Sequence, residues 1–339
     1  MTEPAAFLEA TDVKKSFVPR GALLALGSRL RQQRLVALDG VSLRLEKGQG
    51  LGLVGESGSG KSTMARCLVR ALEPDSGRIV LDGQDVITAN SRELQGIRRR
   101  VQLVYQDPYS SLNPRLRVGT ALAEPARVHG LISKNDQAEL VGKLLERVGL
   151  PASAAKRRPR ELSGGQRQRV AIARALSVQP DIILADEAVS ALDVSIQAQI
   201  LKVLRDLRND LGLGILFIAH QLPLIAQLCE RVAVMYLGRI VEEGPTQRVF
   251  TRPGHPYTIA LMRANPLPVY GEKLRAPALK GEVPSPLAIP SGCRFHTRCP
   301  VAQERCRTED PAAHELGEDH VSWCHVNPLY GESAVRERK

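Results

Sequence analysis

At 339 residues the chain exceeds the usual size of a single domain, so we expect one large domain with a substantial core and a smaller appendage. Hydrophobic residues make up 43% of the sequence and charged residues 24%, a balance that excludes a disordered chain and favours an ordinary folded α/β protein. The net charge of +11 suits nucleic acid, anionic lipid or nucleotide phosphates equally well.

Hydropathy and cysteine placement together indicate the compartment. No apolar stretch approaches the roughly 18–20 residues that cross a bilayer, and Met1 to Ala10 lacks the features of an export signal, so we expect a cytosolic chain. Cys67 and Cys229 are isolated in apolar or helical contexts that are typical of buried thiols. The other four cysteines lie in the last fifth of the chain, where a metal or cluster site fits a cytosolic protein better than disulfides do.

The first elements along the chain are short strands, predicted at 8–14, 34–45 and 51–55, and the last of them is an apolar run typical of a central parallel strand. Residues 18–33 lie between the first two strands and combine an apolar patch with arginines. This segment fits either an amphipathic element that touches lipid or a partner, or a surface insertion that packs its leucines locally.

The middle of the chain is predicted to be mainly helical over 107–175, with apolar residues at helical spacing in Asn135 to Val148. Apolar runs at 181–186 and 214–219 suit buried parallel strands, and a helical stretch from Ile196 to Leu211 separates them. This order predicts a doubly wound α/β domain over 1–262. Prolines multiply beyond Arg263 and indicate a linker into a C-terminal extension, 263–339.

A phosphate-binding loop of the form G-x-x-x-x-G-K-[ST] follows the strand at 51–55 and precedes a predicted helix from Ser62 to Ala71. Its glycines let consecutive backbone N–H groups face phosphates, and the helix N-terminus adds positive potential. Lys61 would reach the outer phosphates and Ser62 would hold Mg²⁺. The predicted ATP-binding residues of this loop are Gly55, Glu56, Ser57, Gly58, Ser59, Gly60, Lys61, Ser62 and Thr63.

The apolar run at 181–186 ends at Asp186, and Glu187 follows directly, so two carboxylates are adjacent. A P-loop needs an acidic partner for its metal at the end of another strand, and Asp186 fits that role through the water shell of Mg²⁺. Glu187 is positioned to polarise the attacking water as a general base. The pair therefore predicts an enzyme that hydrolyses its nucleotide.

The stretch Leu162-Ser163-Gly164-Gly165-Gln166 matches the signature sequence of ABC ATPases and continues as a predicted helix from Gln166 to Leu176. Other positions follow in the order of that family: Gln106 resembles the Q-loop, Ser190 to Asp193 the D-loop, and His220 the switch histidine. With these motifs in this order, the chain is identified as a member of the ABC ATPases.

The resemblance implies a P-loop cassette with a RecA-like parallel-sheet core, an antiparallel β subdomain and a helical subdomain over 107–175. It also implies that two cassettes face each other, with ATP and Mg²⁺ between the P-loop of one and the signature of the other. The residues carried over are Ser163, Gly164, Gly165, Gln166 and Asp193 at the nucleotide, Gln106 with Ser62 and Asp186 at Mg²⁺, and His220 with Glu187 and Lys61 as catalytic residues. Phe17 is the candidate that stacks on the adenine.

Beyond the cassette, the sequence resembles the C-terminal region of oligopeptide and dipeptide importer ATPases at Arg252 to Thr258, Gly281 to Pro286 and Cys293 to Pro300. The F-type subunits of these permeases are the nearest match, and nickel importers of the same group are an alternative. The resemblance implies peptide uptake driven from the cytoplasmic face of the inner membrane. The partners it implies are a second homologous ATPase, favoured to be a different chain, two transmembrane permeases and an extracytoplasmic solute-binding protein. The segment 107–124, with Pro108, Tyr109 and Leu112, would seat a permease helix.

The four thiols of the tail, spaced C-x5-C-x6-C-x17-C, can bind Zn²⁺ or a [4Fe–4S] cluster through Cys293, Cys299, Cys306 and Cys324. The close cysteine pairs of zinc sites do not occur here, and some members of the resembling group carry a cluster in this region, so we favour [4Fe–4S] over Zn²⁺. His296 or His325 could also be ligands, and a chance group of free thiols is a further alternative. A structural staple for a proline-rich tail is the simplest role.

Two other function classes fit the motifs less well. A non-transport ABC ATPase that acts on nucleic acid or ribosomes is expected to carry tandem cassettes, coiled-coil insertions or basic residues gathered with aromatics, and this sequence has none of these patterns. A regulatory module that holds ATP without hydrolysis would not need Glu187 and His220. We therefore expect an ATPase that powers import, with no nucleic-acid partner.

Overall fold

The computed structural model describes residues 7–18, 34–107, 111–190, 192–264 and 281–326. Two compact units make up the chain. The helical unit comprises residues 1–8, 44–50 and 80–218, and the P-loop unit comprises residues 9–43, 51–79 and 219–339, each as far as it is described. Most of the predicted insertion at 18–33 and of the predicted linker lies outside the described residues.

Short strands and helices alternate along the chain. The strands are β1 (Leu8–Phe17), β2 (Leu35–Leu45), β3 (Gly50–Val54), β4 (Ser76–Leu81), β5 (Gln84–Asp85), β6 (Val101–Val104), β7 (Ile182–Asp186), β8 (Gly214–Ala219), β9 (Arg231–Tyr236), β10 (Arg239–Pro245), β11 (Ala313–Glu315) and β12 (Val321–Trp323). The helices are α1 (Lys61–Leu68), α2 (Ser91–Arg100), α3 (Val118–Val128), α4 (Gln137–Arg147), α5 (Gly164–Leu176), α6 (Val194–Leu211), α7 (Leu222–Leu228), α8 (Thr246–Thr251), α9 (Pro256–Ala264) and α10 (Arg305–Thr308). None of the helices in the described ranges is long and apolar enough to span a membrane.

The helical unit is built on the parallel strands β6, β7 and β8. Val101 pairs with Ile182 across the first interface, and Ile182 pairs with Gly214 across the second. Every residue of β7 and β8 is buried, as the apolar runs in the sequence predict for strands covered on both faces. Helices α3, α4 and α5 pack against one another in the segment that the sequence predicts to be helical.

In the P-loop unit, β3 pairs in parallel with β9, with Leu51 opposite Arg231 and Val54 opposite Val234. Strand β9 turns back into the antiparallel β10. The C-terminal extension continues this sheet, since β12 pairs antiparallel with β10 and β11 pairs with β12. Strands β2, β1 and β4 are neighbours in a separate sheet, in that order.

Some element bounds differ from the prediction. Strand β1 continues beyond the predicted end at Lys14 to Phe17, because the Lys14 carbonyl accepts from the Asp75 N–H and the Ser16 N–H donates to the Asp75 carboxylate. Helix α5 begins at Gly164, two residues before the predicted start. Helix α2 was not predicted. Only Leu94 and Ile97 are buried along it, so its sequence shows little apolar periodicity, although Asn90 and Glu93 form a capping box at its start.

Candidate nucleotide-binding and hydrolysis site

The phosphate-binding loop joins β3 to α1 in the P-loop unit. Lys61 begins α1 and is only 4% exposed, and its ammonium donates to the carbonyl oxygens of Gly55 and Glu56 at 2.8 and 2.9 Å. Ser62 and Thr63 follow on the first turn and are half-buried. A buried ammonium directed into a loop of backbone N–H groups is suited to polyphosphate.

Two glycines of this loop lie against backbone carbonyls of neighbouring strands. A Cβ atom on Gly55 would lie 2.1 Å from the carbonyl oxygen of Met235, and one on Gly60 would lie 2.3 Å from that of Ala37. Gly60 also has a φ of +109°, in the region that favours glycine. The close approach holds the loop on β9 and β2, so these two positions accept only glycine without a backbone shift.

Glu56 connects the phosphate-binding loop to the C-terminal extension. Its backbone N–H donates to the hydroxyl oxygen of Tyr257 at 2.8 Å. Its carboxylate accepts two hydrogen bonds from the guanidinium of Arg298, at 2.6 and 3.0 Å, in a bidentate ion pair. Both partners of Glu56 are buried, since Tyr257 is 0% and Arg298 9% exposed.

An aromatic cluster supports these two partners. The rings of Tyr236 and Tyr257 lie 4.6 Å apart between centroids, and Phe295 packs against both at 5.3 Å. Burial raises the pKa of Tyr257 and keeps its hydroxyl neutral. His255 completes the cluster 5.8 Å from Phe295, and its Nδ1 accepts the backbone N–H of Tyr257 at 3.0 Å. The close-packed rings around Tyr257 cannot shift freely. This packing therefore fixes the direction of the Tyr257 hydroxyl.

A second arginine of the extension reaches the turn beside the loop. Arg294 donates to the carbonyl oxygen of Leu237 and to the carboxylate of Asp39, and Arg239 also pairs with Asp39 at 2.8 Å. The neighbouring Gly238 N–H donates to the carbonyl oxygen of Ser59 at 2.8 Å. The extension thus contacts Glu56 directly and approaches Ser59 through the β9–β10 turn.

The acidic end of β7 lies in the helical unit. Asp186 is 4% exposed and is the last residue of the strand, and Glu187 follows with a φ of +49°, which is uncommon for a residue other than glycine. The Glu187 N–H donates to the Ile218 carbonyl at 3.0 Å. This bond fixes the backbone turn that carries the two adjacent carboxylates.

The structure joins three predicted motifs of the helical unit through one serine. The side-chain amide of Gln106 donates to the hydroxyl of Ser190 at 3.2 Å, and that hydroxyl donates to the Glu187 carbonyl at 3.0 Å. The Q-loop, the D-loop and the acidic strand end are therefore in direct hydrogen-bond contact. Farther along, the Gln197 side-chain amide donates to the carbonyls of Val189 and Leu192, just before Asp193, the residue that precedes α6.

The signature residues form the start of α5. Ser163 is the N-cap, its hydroxyl accepts the Gln166 N–H, and the Gln166 side chain accepts the Ser163 N–H in return. A Cβ atom on Gly165 would lie 2.4 Å from Cγ2 of Ile196, and one on Gly164 would lie 3.2 Å from Leu192. The signature glycines thus also serve to pack α5 against the start of α6.

Three other predicted positions lie near ends of elements. Phe17 ends β1 and is 37% exposed, with the Lys15 ammonium 5.8 Å from its ring centroid, so its ring can stack on a ligand. His220 follows β8 directly and is half-buried. In the segment after Gln106, Pro108 and Tyr109 lie outside the described residues, whereas Leu112 is only 3% exposed and packs inside the chain, contrary to the surface role predicted for it.

A cavity of about 370 Å³ lies beside the Q-loop in the helical unit. Tyr105, Ser111, His129 and Arg174 contribute to its lining, and Arg174 donates to the carbonyl of Ser111. Ser111 belongs to the segment 107–124 that the resemblance assigns to a membrane partner.

The four tail cysteines lie near one another in the P-loop unit. The Cys293 N–H donates to the Cys306 carbonyl at 2.9 Å, and burial, with the nearby thiols of Cys293 and Cys306, raises the pKa of Cys299 to about 11. Each sulfur accepts backbone N–H groups, from Phe295 and His296 for Cys293, Val301 for Cys299, Gln303 for Cys306 and Val326 for Cys324. Such donors suit metal thiolates.

Across the described residues, however, no group of three or more His, Cys, Asp or Glu side chains is arranged to hold a metal ion, so the predicted [4Fe–4S] or Zn²⁺ site has no formed ligand set.

The sequence did not reveal three residues that contact the phosphate-binding loop or the β9–β10 turn beside it. Tyr257 belongs to the stretch Arg252 to Thr258, and Arg294 and Arg298 belong to the stretch Cys293 to Pro300, but no local pattern identifies their partners. The sequence offers two weak signals for these residues. Tyr257 follows a His-Pro pair, and both arginines lie next to cysteines.

Comparisons with known proteins agree with these motifs. Residues 38–190 match the ABC transporter family, and residues 241–306 match the family described as "Oligopeptide/dipeptide transporter, C-terminal region". A probable peptide ABC transporter ATP-binding protein of Sinorhizobium fredii is 49% identical over 290 residues, which are 86% of this chain and 82% of the relative. A putative peptide import ATP-binding protein of Brucella abortus is 48% identical over 323 residues, which are 94% of this chain and 96% of the relative.

Solved structures give the same assignment. The chain resembles cbiO1 of Clostridium perfringens, part of an ABC transporter complex, with a TM-score of 0.63 and 25% identity over 73% of this chain and 92% of that one. A bacterial ABC transporter cassette solved as a dimer gives a TM-score of 0.62 at 28% identity, over 70% and 98% of the two chains. The chain therefore belongs to the ATP-binding cassette ATPases of ABC transporters, in the group that carries the oligopeptide/dipeptide transporter C-terminal region.

Proposed function

We propose that this chain is the ATP-hydrolysing subunit of an importer of di- and oligopeptides. The observation that carries the proposal is the union of a P-loop cassette with the oligopeptide/dipeptide C-terminal region, whose Arg298 contacts the phosphate-binding loop itself. Relatives that cover most of this chain bear names of peptide import proteins. The extension thus contacts the phosphate-binding loop and also supports the proposed substrate class.

The proposed ATP contacts follow the motifs. Backbone N–H groups of the loop and the Lys61 ammonium bind the phosphates, and Phe17 stacks on the adenine. By the family resemblance, Ser62, Gln106 and Asp186 would hold Mg²⁺, which would neutralise phosphate charge. Ser163, Gly164, Gly165, Gln166 and Asp193 serve the nucleotide held by the opposing ATPase chain.

In the proposed hydrolysis step, Glu187 accepts a proton from water as its oxygen attacks the γ-phosphorus, and the bond to the β-phosphate oxygen breaks to give ADP and phosphate. Lys61 and His220 stabilise the charge on the γ-phosphoryl oxygens. The γ-phosphate favours the closed pair of chains, so its loss favours opening. The hydrogen bonds from Gln106 to the Ser190 hydroxyl, and from that hydroxyl to the Glu187 backbone carbonyl, connect the Q-loop to the backbone of the proposed base.

The proposed assembly contains this chain, a second and different ATPase chain, two permeases and an extracytoplasmic solute-binding protein, at the cytoplasmic face of the inner membrane. The cavity beside Tyr105 and His129 receives a cytoplasmic helix of one permease. An apolar helix with a polar tip fits a site that combines aromatic, imidazole and guanidinium groups.

The four-cysteine segment is the proposed site of a [4Fe–4S] cluster, with Zn²⁺ as the alternative, held by Cys293, Cys299, Cys306 and Cys324. The mutual proximity of the thiols and their backbone N–H donors support this part of the proposal. Bound metal would tie α10 and β12 to the loop that carries Arg294 and Arg298. Iron, sulfide and zinc analysis of anaerobically purified protein tests it, and folded protein with none of them would disprove it.

Peptide uptake tests the main proposal. Cells that lack this chain are given back the wild-type chain or a Glu187→Gln variant, and uptake of labelled di- and tripeptides is compared with uptake of nickel. We expect wild type to restore peptide uptake and the variant not to restore it. Restoration of nickel uptake alone, or of neither, would contradict the assignment.

A further inference from the structure

Glu56 is the second residue of the phosphate-binding loop, and two residues of the C-terminal region matched at 241–306 hold its backbone N–H and its carboxylate. The backbone N–H is committed to the Tyr257 hydroxyl at 2.8 Å, and the carboxylate to two nitrogens of Arg298 at 2.6 and 3.0 Å. The Arg298 side chain is 4% exposed, against 24% for Glu56, so solvent screens this ion pair only weakly. The pair therefore acts at close range on the loop.

A carboxylate in this place creates an electrostatic problem for the site. The loop must bind a triphosphate, and an unpaired Glu56 would repel it at short distance in a partly buried setting. The Arg298 guanidinium cancels that charge and, through its fixed fork geometry, also fixes where the carboxylate points. The nearby Lys61 ammonium donates to the Glu56 carbonyl, so a change in the Glu56 conformation would also move a group that binds phosphate.

The support of Arg298 is itself rigid. Its guanidinium lies 6.0 Å from the Tyr236 ring centroid, and its backbone N–H donates to the Phe295 carbonyl at 2.9 Å. Phe295 is 1% exposed and packs on Tyr236 and Tyr257. The same aromatic cluster therefore positions both groups that hold Glu56.

We propose that Arg298 is a positioning residue for ATP binding, which neutralises Glu56 and holds the phosphate-binding loop in its binding conformation. Tyr257 assists by fixing the Glu56 N–H. The extension is in this way a component of the nucleotide site. The inference concerns nucleotide affinity in the full chain and rests neither on the transported substrate nor on a metal at the cysteines.

Titration of the purified full chain with a fluorescent ATP analogue and Mg²⁺ tests the proposal. Arg298→Gln should weaken binding by about tenfold, in the range measured for coupled neighbouring groups, because Glu56 then stands unpaired. Arg298→Lys should recover part of the loss. The double variant Arg298→Gln, Glu56→Gln should return to within about threefold of wild type, because the repulsive charge is gone.

Arg307→Gln is the matched control, since Arg307 lies on the same segment with a side chain that is 66% exposed. It should leave affinity unchanged. Thermal melting of every variant, and kcat at saturating ATP, separate the proposed role from loss of structure. Unchanged affinity in Arg298→Gln would overturn the proposal. So would a loss of affinity that follows the melting temperature and that Glu56→Gln does not repair, because Arg298 would then only stabilise the fold.

Discussion

The hydroxyl oxygen of Tyr257 accepts the backbone N–H of Glu56 at 2.8 Å, although 201 positions separate the two residues. Tyr257 lies at the start of α9, after the cassette motifs, and Glu56 lies within the phosphate-binding loop. A loop of this kind must present its N–H groups in fixed directions, so a distant side chain that occupies one of them defines the resting shape of the loop.

Removal of that hydroxyl should be costly. Tyr257→Phe leaves the Glu56 N–H without its acceptor in a partly buried place, and we expect a loss of about 1–3 kcal/mol in the free energy of unfolding. Urea denaturation followed by circular dichroism measures it. Tyr105→Phe, at a position 39% exposed, is the control and should unfold as wild type does. Equal stability of the Tyr257 variant would show that water replaces the hydroxyl.

The close contact at Gly60 gives a second expectation. Gly60→Ala places a methyl group 2.3 Å from the Ala37 carbonyl oxygen, at a φ of +109°, whereas Gly83→Ala has a φ of +79° and open space. Both variants carry backbone strain, but only the first carries a clash, so Gly60→Ala should lose about 2 kcal/mol more stability. Comparison of their melting temperatures checks this, and equal losses would contradict it.

Glu187 should be needed for hydrolysis and not for binding. Glu187→Gln keeps the size of the side chain and removes the proton acceptor, so we expect turnover of ATP to fall by at least about 100-fold. Phosphate release measures turnover, and equilibrium binding of an ATP analogue should stay near the wild-type value. Glu139→Gln, on an exposed turn of α4, is the control. Substantial turnover in the Glu187 variant would assign the base to another residue.

Acid should destabilise the fold through His255. Burial lowers the pKa of His255 from 6.5 to about 3, so the folded chain keeps it neutral while the unfolded chain takes up a proton below pH 6.5. The stability it supports is complete above pH 6.5 and declines as pH falls, by up to about 1.4 kcal/mol per unit. Denaturation at several pH values should therefore show a shallower decline for His255→Asn. An identical slope in both proteins would exclude this residue as a cause.

Glu242 should be a strong structural link to the extension. Its carboxylate is 0% exposed and accepts from the Gly254 N–H at 2.6 Å, the His255 N–H at 2.9 Å and the Thr258 hydroxyl, and it pairs with His320 at 2.8 Å. Glu242→Gln replaces one acceptor oxygen by a donor, so we expect a loss of about 3 kcal/mol. Glu315→Gln, exposed on β11, should have little effect. If the two variants unfold alike, the network contributes less than its burial indicates.

Much of the fold could be predicted because it depends on local patterns. The apolar runs that became β7 and β8 are buried along their full length, and the loop between β3 and α1 follows from glycine spacing alone. The signature stretch also carried its own capping box, Ser163 with Gln166. These features need only neighbours in sequence.

The rest depends on contacts between distant positions. Nothing around Arg298 indicates that its partner is Glu56, which is 242 positions away, and nothing around Gln106 indicates Ser190. The surface role predicted for Leu112 was wrong, since the side chain is buried. An apolar residue in a proline-containing segment has the same local sequence pattern in a docking loop as in a core. Helix α2 was missed because its charged sequence buries only Leu94 and Ile97.

The pairing of β12 with β10 has a consequence for fragments of this chain. Glu242 faces Ser322 and Glu243 faces Val321 across that ladder. A chain cut after residue 262 would retain every nucleotide motif but would leave the flank of β10 with unpaired backbone groups, which other chains can recruit as a template. Proteolytic loss of the extension would therefore convert a covered strand into a self-associating edge, in addition to removing Arg298 from Glu56.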